Sequence, residues 1–207
     1  MGPAARPSRG EATRARLLDA GRHVFARRGY RATRVGDIVA RAGTSQGTFY
    51  LYFSSKDDLF ATLQSEVAAE FEQLAADLPE LGPTPVEVDA LQSWIERFLA
   101  ACDRHQPVLR AGTEADTTRG RSVIAEHLGT LSAALATRSG LPARRAFDPE
   151  VAALVLVSTL ERLDYMAGDG RLEVSDRDLA RTTAGIVTDA LYGPSARTTE
   201  RERPTTT

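Results

Sequence analysis

A chain of 207 residues with one cysteine, Cys102, and a formal net charge of -2 is long enough for a real core and excludes an intrachain disulfide framework. Its longest apolar stretch, 151–160, already holds Ser158 and Thr159 and runs into Glu161 and Arg162, which is too short and too polar to cross a bilayer. With no apolar secretory run at the N-terminus, the sequence predicts a cytoplasmic protein without a membrane partner.

Charge is unevenly spread. Residues 1–60 carry eleven basic against five acidic side chains, a net of +6, while the remainder is -8. A basic quarter on an acidic body fits a module that meets a polyanion. An Arg-rich solvated helix surface has the same composition, and charge alone leaves both readings open.

Residues 1–10, MGPAARPSRG, carry no apolar period and are expected to be a flexible arm that leaves Arg6 and Arg9 free. From Glu11 onward, Leu17, Ala20, Gly21, Val24 and Phe25 recur at the spacing of one buried helical stripe. Gly29 tolerates a positive φ and is the expected cap of this helix, after Arg27 and Arg28, which suit the negative end of the helix dipole. Thr33 is the expected N-cap of a second helix that buries Val35, Ile38, Val39 and Ala42 and stops at Gly43. Ser45 opens a third, which brings Phe49, Tyr50, Tyr52 and Phe53 within nine residues. Ser54 and Ser55, with Asp57 and Asp58 three residues on, form overlapping capping boxes for a fourth helix. Its stripe is Phe60, Leu63, Val67, Phe71, Leu74 and Leu78; some twenty residues would span about 30 Å and connect two domains rigidly.

Pro79, Gly82, Pro83 and Pro85 mark a loop. Val88, Leu91, Ile95, Phe98 and Cys102 then share one face with Trp94 beside them, and a separate short helix over 108–115 is expected after Pro107. Helices over 121–137, 149–166 and 176–191 follow, and the tail 193–207 reads as disordered. No strand pattern and no repeat is present, so the fold class is all-α, with about nine helices.

Two short helices joined by a tight turn containing Gly, the second with small and polar outward residues, have the form of a helix-turn-helix. A recognition helix must enter a groove about 12 Å wide, so its outward face needs small or hydrogen-bonding side chains. Ser45, Gln46, Gly47 and Thr48 supply these, while Phe49 and Phe53 can hold the inward face. Tyr50 and Tyr52 can reach phosphate oxygens from the groove edge, or simply pack the small domain.

The stretch 33–59, TRVGDIVARAGTSQGTFYLYFSSKDDL, resembles the signature of the TetR family of one-component regulators. It has the opening Thr, the Asp-Ile pair, Ala-Gly at the turn, Ser, Gly-Thr, an aromatic-Tyr pair, Tyr-Phe, and a Lys followed by acids. Gly36, Thr44 and Leu51 depart from that pattern, Gly36 at a cost of about 1 kcal/mol in helix propensity. The resemblance implies a three-helix DNA-binding domain at 11–56 and a ligand-binding and dimerisation bundle at 57–192. It implies base-edge contacts from Gln46 and Thr48, with Arg34 and Thr44 near the groove, and phosphate contacts from Thr33, Ser45, Tyr50, Tyr52 and Lys56. The implied partners are a pseudo-palindromic double-stranded DNA operator, a second copy of the chain, and a small apolar or amphipathic effector that releases the DNA.

Val151, Leu154, Val155, Ser158 and Leu163, with Leu179, Thr183, Ile186, Val187, Ala190 and Leu191, are the candidate dimer faces; a monomer core is the other reading. Phe71, Trp94, Phe98, Cys102, Leu131 and Tyr165 are candidates to line an effector cavity, against ordinary core packing. Cys102, Asp103 and His105 lie close in sequence but lack metal-ligand spacing, so no metal is expected. GxSxG, GxGxxG and Walker loops are absent, and the carboxylate pairs Asp148 with Glu150 and Asp176 with Asp178 read as helix openers, so neither an enzyme nor a cofactor is expected. A DNA-binding architectural or adaptor protein, whose C-terminal half only dimerises, is the alternative.

Overall fold

The computed structural model describes residues 8–115 and 173–193 and isolated positions between them. It contains α1 (Arg9–Ala32), α2 (Val35–Ala42), α3 (Gln46–Tyr50), α4 (Lys56–Ala76), α5 (Pro85–Ala115) and α6 (Asp176–Tyr192), with no strand among the described residues. Six helices are thus present among the described residues, where about nine are expected over the whole chain. The expected helices over 121–137 and 149–166, with Leu131, Leu163 and Tyr165, fall outside the described residues apart from isolated positions, as do 1–7 and the tail from 194.

α1 begins earlier than its apolar period suggests. The Ser8 hydroxyl accepts the N–H of Glu11 at 3.2 Å and the Glu11 carboxylate accepts the N–H of Ser8 at 2.7 Å, a reciprocal capping box. Arg9 is thus helical rather than part of an arm ending at residue 10, and Ser8 holds the Glu11 carboxyl below the usual carboxylate range. The expected stripe is buried, from Leu17 to Phe25.

Gly29 has the positive φ expected of it, 73° with ψ 171°, but it kinks α1 rather than ending it. The kink turns Tyr30 into the core, where its ring lies 5.8 Å from Phe25 and 4.7 Å from Phe60. The Tyr30 hydroxyl donates to the Asp57 carboxylate. Burial and then that carboxylate push its pKa well above the ordinary phenol value.

The N-cap of α2 is Arg34, not Thr33. Asp37 accepts the Arg34 N–H at 3.0 Å and pairs with the Arg28 guanidinium at 2.6 Å, tying α2 to α1. Thr33 closes α1 instead: it is buried and donates its hydroxyl to the Gly29 carbonyl at 2.7 Å. Gly43, left-handed at φ 63°, ends α2, and the N–H of Thr44 returns to the Val39 carbonyl at 3.0 Å. Gly36 has no positive φ, and a Cβ built there would meet only the Gln46 amide at 3.8 Å, an ordinary contact. Gly36→Ala is therefore expected to stabilise the protein by about 0.5–1 kcal/mol. Thermal melts of the two proteins check this, and a fall in Tm would mean that the missing side chain serves a close approach.

α4 opens on Ser55, whose hydroxyl accepts the N–H of Asp58 at 3.1 Å. The Asp58 carboxylate takes both the N–H and the hydroxyl of Ser54, which hold its pKa low. The stripe from Phe60 to Leu78 is buried against α1 and α5. α1 crosses α4 at Gly21, where an added Cβ would lie 2.6 Å from a terminal methyl of Leu59, which would have to move aside.

α5 runs unbroken through Pro107 instead of yielding to a separate helix. A proline removes one N–H, the partner of the carbonyl four residues back. That carbonyl belongs to exposed Asp103, so it is not stranded in the core. α5 packs on α4 through Trp94 and Phe98, and buried His105 meets Glu70 at 2.7 Å, with Arg104 on the same carboxylate. Burial opposes ionisation of Glu70, but the hydrogen bonds from His105 and Arg104 outweigh it and keep the carboxyl below its usual range. α6, capped by Ser175, lays Leu179, Ala180, Ala184 and Val187 on the rest of the bundle, chiefly α5. No described helix is long and apolar enough to cross a membrane.

Candidate nucleic-acid interface

α3 has only five residues, too few to be helical alone, so its position is set by what it buries. Phe49 and Phe53 are fully enclosed with ring centroids 5.7 Å apart, and the Arg14 guanidinium of α1 sits 5.3 Å over the Phe53 ring. Ser45 caps the helix: its hydroxyl accepts the Thr48 N–H at 3.1 Å and shares a hydrogen bond with the Thr48 hydroxyl at 3.0 Å.

The opposite face is turned outward. Gln46 and Gly47 are exposed, Thr44 and Thr48 are half-buried beside them, and Arg34 is exposed at the start of α2. Tyr50 is 56% exposed, and Leu51 stands out at 81%. Tyr52 is half-buried, its hydroxyl beside Gly10 of α1. Eight of the ten residues expected to meet DNA thus lie on or around one polar surface.

The other two do not. Thr33 is buried with its hydroxyl committed to Gly29. The Lys56 ammonium donates to the carbonyls of Tyr30 at 2.8 Å and Thr33 at 3.1 Å and lies 4.2 Å above the Tyr30 ring. Both residues fasten the end of α1 to the start of α4. In this structure the Thr33 hydroxyl and the Lys56 ammonium are engaged with these carbonyls rather than turned to the polar face of α3.

The same kink receives a residue that nothing in the local sequence announces. Glu114, in the last turn of α5, accepts the N–H of Tyr30 at 2.8 Å, while the Arg31 side chain donates to the Glu114 carbonyl at 3.1 Å. A Cβ at Gly29 would lie 2.5 Å from that carboxylate, in a backbone region essentially reserved for glycine. Gly29→Ala is expected to cost about 1–3 kcal/mol and to displace Glu114. Urea denaturation measures the first effect and amide hydrogen exchange at Tyr30 the second; wild-type values for both would contradict the geometry.

Of the candidate cavity residues, Phe71, Trp94, Phe98 and Cys102 come together between α4 and α5, buried and in mutual ring contact where aromatic. Leu131 and Tyr165 lie outside the described residues. Among the candidate dimer residues, Val151, Leu154, Val155, Ile186 and Ala190 are exposed, and Ser158 and Thr183 half-buried. Leu179 and Val187 are instead buried within their own chain, since α6 needs one face for α5.

A short third helix, buried on two others and presenting a polar outer face next to basic side chains, defines a helix-turn-helix DNA-binding domain, here carried on a helical body. Residues 17–63 match the family model described as bacterial regulatory proteins, tetR family. That match places the N-terminal segment, residues 17–63, among TetR-family DNA-binding domains. The chain is similar to the HTH-type transcriptional repressor SCO4008 of Streptomyces coelicolor, 33% identical over 48% of this chain and 47% of that protein. The HTH-type transcriptional regulator YdgC of Bacillus subtilis is 39% identical over 34% of this chain and 36% of its own length. The chain therefore spans half or less of these curated relatives. Among solved structures, a gamma-butyrolactone receptor described as ArpA-like is 26% identical, with a TM-score of 0.58 over 88% of this chain and 98% of that one.

Proposed function

We propose that the protein is a sequence-specific DNA-binding transcriptional regulator that binds a pseudo-palindromic operator as a homodimer and lets go when a small apolar or amphipathic effector enters the helical body. The observation that carries this reading is the outward polar face of α3, with Gln46 at its tip, held rigid by Phe49 and Phe53. Exposed Val151, Leu154, Val155 and Ile186 supply apolar surface for a second copy. Two recognition helices about 34–36 Å apart then read successive major grooves.

Communication with an effector has a physical route. α4 carries the DNA-binding domain at its start and the Phe71, Trp94 and Phe98 cluster towards its end, and Glu114 at the end of α5 holds the kink of α1. An effector that prefers one arrangement of α4 and α5 shifts DNA affinity by the ratio of its affinities for the two states, typically about 1–3 kcal/mol. The similar gamma-butyrolactone receptor is described by a small-molecule ligand, which supports an effector of that size class here. This function involves no catalytic step.

Selection of duplexes from a random pool, followed by footprinting, tests the DNA reading. A few protected sites with two-fold symmetry are expected; even coverage with a steep salt dependence would favour the architectural alternative. Gln46→Ala is expected to relax the choice at one base position in each half-site at a cost of about 1–3 kcal/mol. An unchanged selected sequence would remove Gln46 from base reading. Trp94 is the lone tryptophan, so its fluorescence reports occupancy between α4 and α5 while operator release is followed in parallel.

A further inference from the structure

α1 and the segment around α3 enclose an open groove, and the DNA contacts assigned so far use only its Thr44, Thr48 and Tyr52 side. Arg9, Thr13 and Arg16 form the α1 wall, and Thr44, Thr48 and Tyr52 the other. We propose that this groove seats a backbone phosphate of the duplex beside the base-reading face, making α1 a second, sequence-independent clamp on DNA; the inference rests on the DNA-binding reading above and adds a contact set to it.

The positions on α1 share one helix face. Arg9, Thr13 and Arg16 follow the i, i+4, i+7 spacing, and two turns carry the pair of guanidinium groups about 10 Å along the axis. Both arginines are exposed. Elsewhere Arg22, Arg28, Arg97, Arg104 and Arg181 each have a carboxylate partner, whereas Arg9 and Arg16 have none among the described residues. Asp19 lines an adjoining groove with Arg16 and Arg41 and pairs with neither.

Orientation is built in. The Thr13 hydroxyl donates to the Arg9 carbonyl at 2.9 Å and accepts from the Arg16 guanidinium at 3.4 Å, which steers Arg16 along the groove. The first turn of α1 is already served by the Ser8 and Glu11 capping box, so attraction for an anion comes from the two guanidinium groups rather than from free N–H groups. Facing them, Thr48 and Tyr52 add hydroxyls, and Thr48 belongs to the helix that carries Gln46. A phosphate held here is one strand-edge away from the bases that α3 would read. Guanidinium groups suit that ligand because their fixed fork of donors matches phosphate oxygens.

The test uses the full chain and two duplexes of equal length, one selected by the wild-type protein from a random pool and one unrelated. Binding is followed by fluorescence anisotropy between about 50 and 200 mM salt, where one phosphate contact changes affinity by about threefold. Replacing both Arg9 and Arg16 by Ala is expected to lower the slope of log K against log salt by about 0.9, each single replacement by part of that, and to weaken both duplexes by the same factor. Arg16→Lys should keep the slope, and a neutral methylphosphonate at the seated phosphate should weaken the wild type but not the double alanine variant. Circular dichroism melts confirm that the variants fold. If the wild type binds the selected duplex and the double variant keeps its full salt slope, the clamp is wrong while the DNA-binding reading stands. A loss confined to the selected duplex also overturns it, because the arginines would then be reading bases. Should the wild type bind neither duplex at low salt, the clamp and the DNA-binding reading fall together.

Discussion

Phe49→Ala is expected to destabilise the DNA-binding domain by about 3–5 kcal/mol and to abolish selective operator binding. The side chain has no exposure, meets the Tyr50 ring edge-on at 5.4 Å and packs on Phe53. Alanine removes the whole ring from a site whose neighbours are fixed by α1 and α2, so the cavity cannot collapse cheaply. α3 suffers most: five residues contribute too little helix propensity to hold their shape, and Gln46 and Thr48 are positioned only through the ring beneath them. Phe49→Leu fills most of the space and should recover the larger part of both losses. Urea denaturation gives the stability change, and anisotropy below the transition gives the binding change. A loss under about 1 kcal/mol would mean that α3 is held by something other than its aromatic underside.

Trp94→Ala is expected to cost about 3–5 kcal/mol in the helical body, for two separable reasons. The indole is buried and stacked on Phe98 at 5.8 Å with 18° between the planes. Its Nε1 also donates to the Leu74 carbonyl at 2.9 Å. Leu74 lies in the last turn of α4, where a carbonyl lacks its usual partner: the N–H of Leu78 turns instead to Ala75. Trp94 thus caps α4 from α5 while filling the space between them. Trp94→Phe keeps much of the packing and strands the carbonyl, so a loss of about 1–3 kcal/mol is expected from that variant. Equal stability of the phenylalanine variant and the wild type would show that the carbonyl finds another donor. Because the two helices also form the proposed path from effector to DNA, the alanine variant should respond poorly to effectors even where it remains folded.

Much of the molecule follows from patterns confined to a few residues. The apolar stripes of α1 and α4, the caps at Ser45 and Ser55, and the left-handed stop at Gly43 are each set by neighbours within one or two turns, and the structure keeps them. The polar residues of α3 were legible for the same reason, since burying Phe49 and Phe53 on a short helix leaves only one direction for Gln46 and Gly47. The capping box at Ser8 was equally local, though no apolar period begins there to draw attention to it.

Tertiary structure decided the rest. Lys56 and Thr33 look free in a linear motif, yet the kink at Gly29 brings backbone carbonyls within reach and takes both residues into the frame of the domain. Glu114 meets Tyr30 across 84 positions, Gly21 leaves room for the Leu59 side chain that passes over it, and Leu179 and Val187 turn inward because α5 occupies that side of α6. A sequence states which side chains want burial, a charge or a donor. Which neighbour satisfies them depends on how whole helices pack, and the free energy that settles that choice belongs to the assembled core rather than to any one stretch of chain.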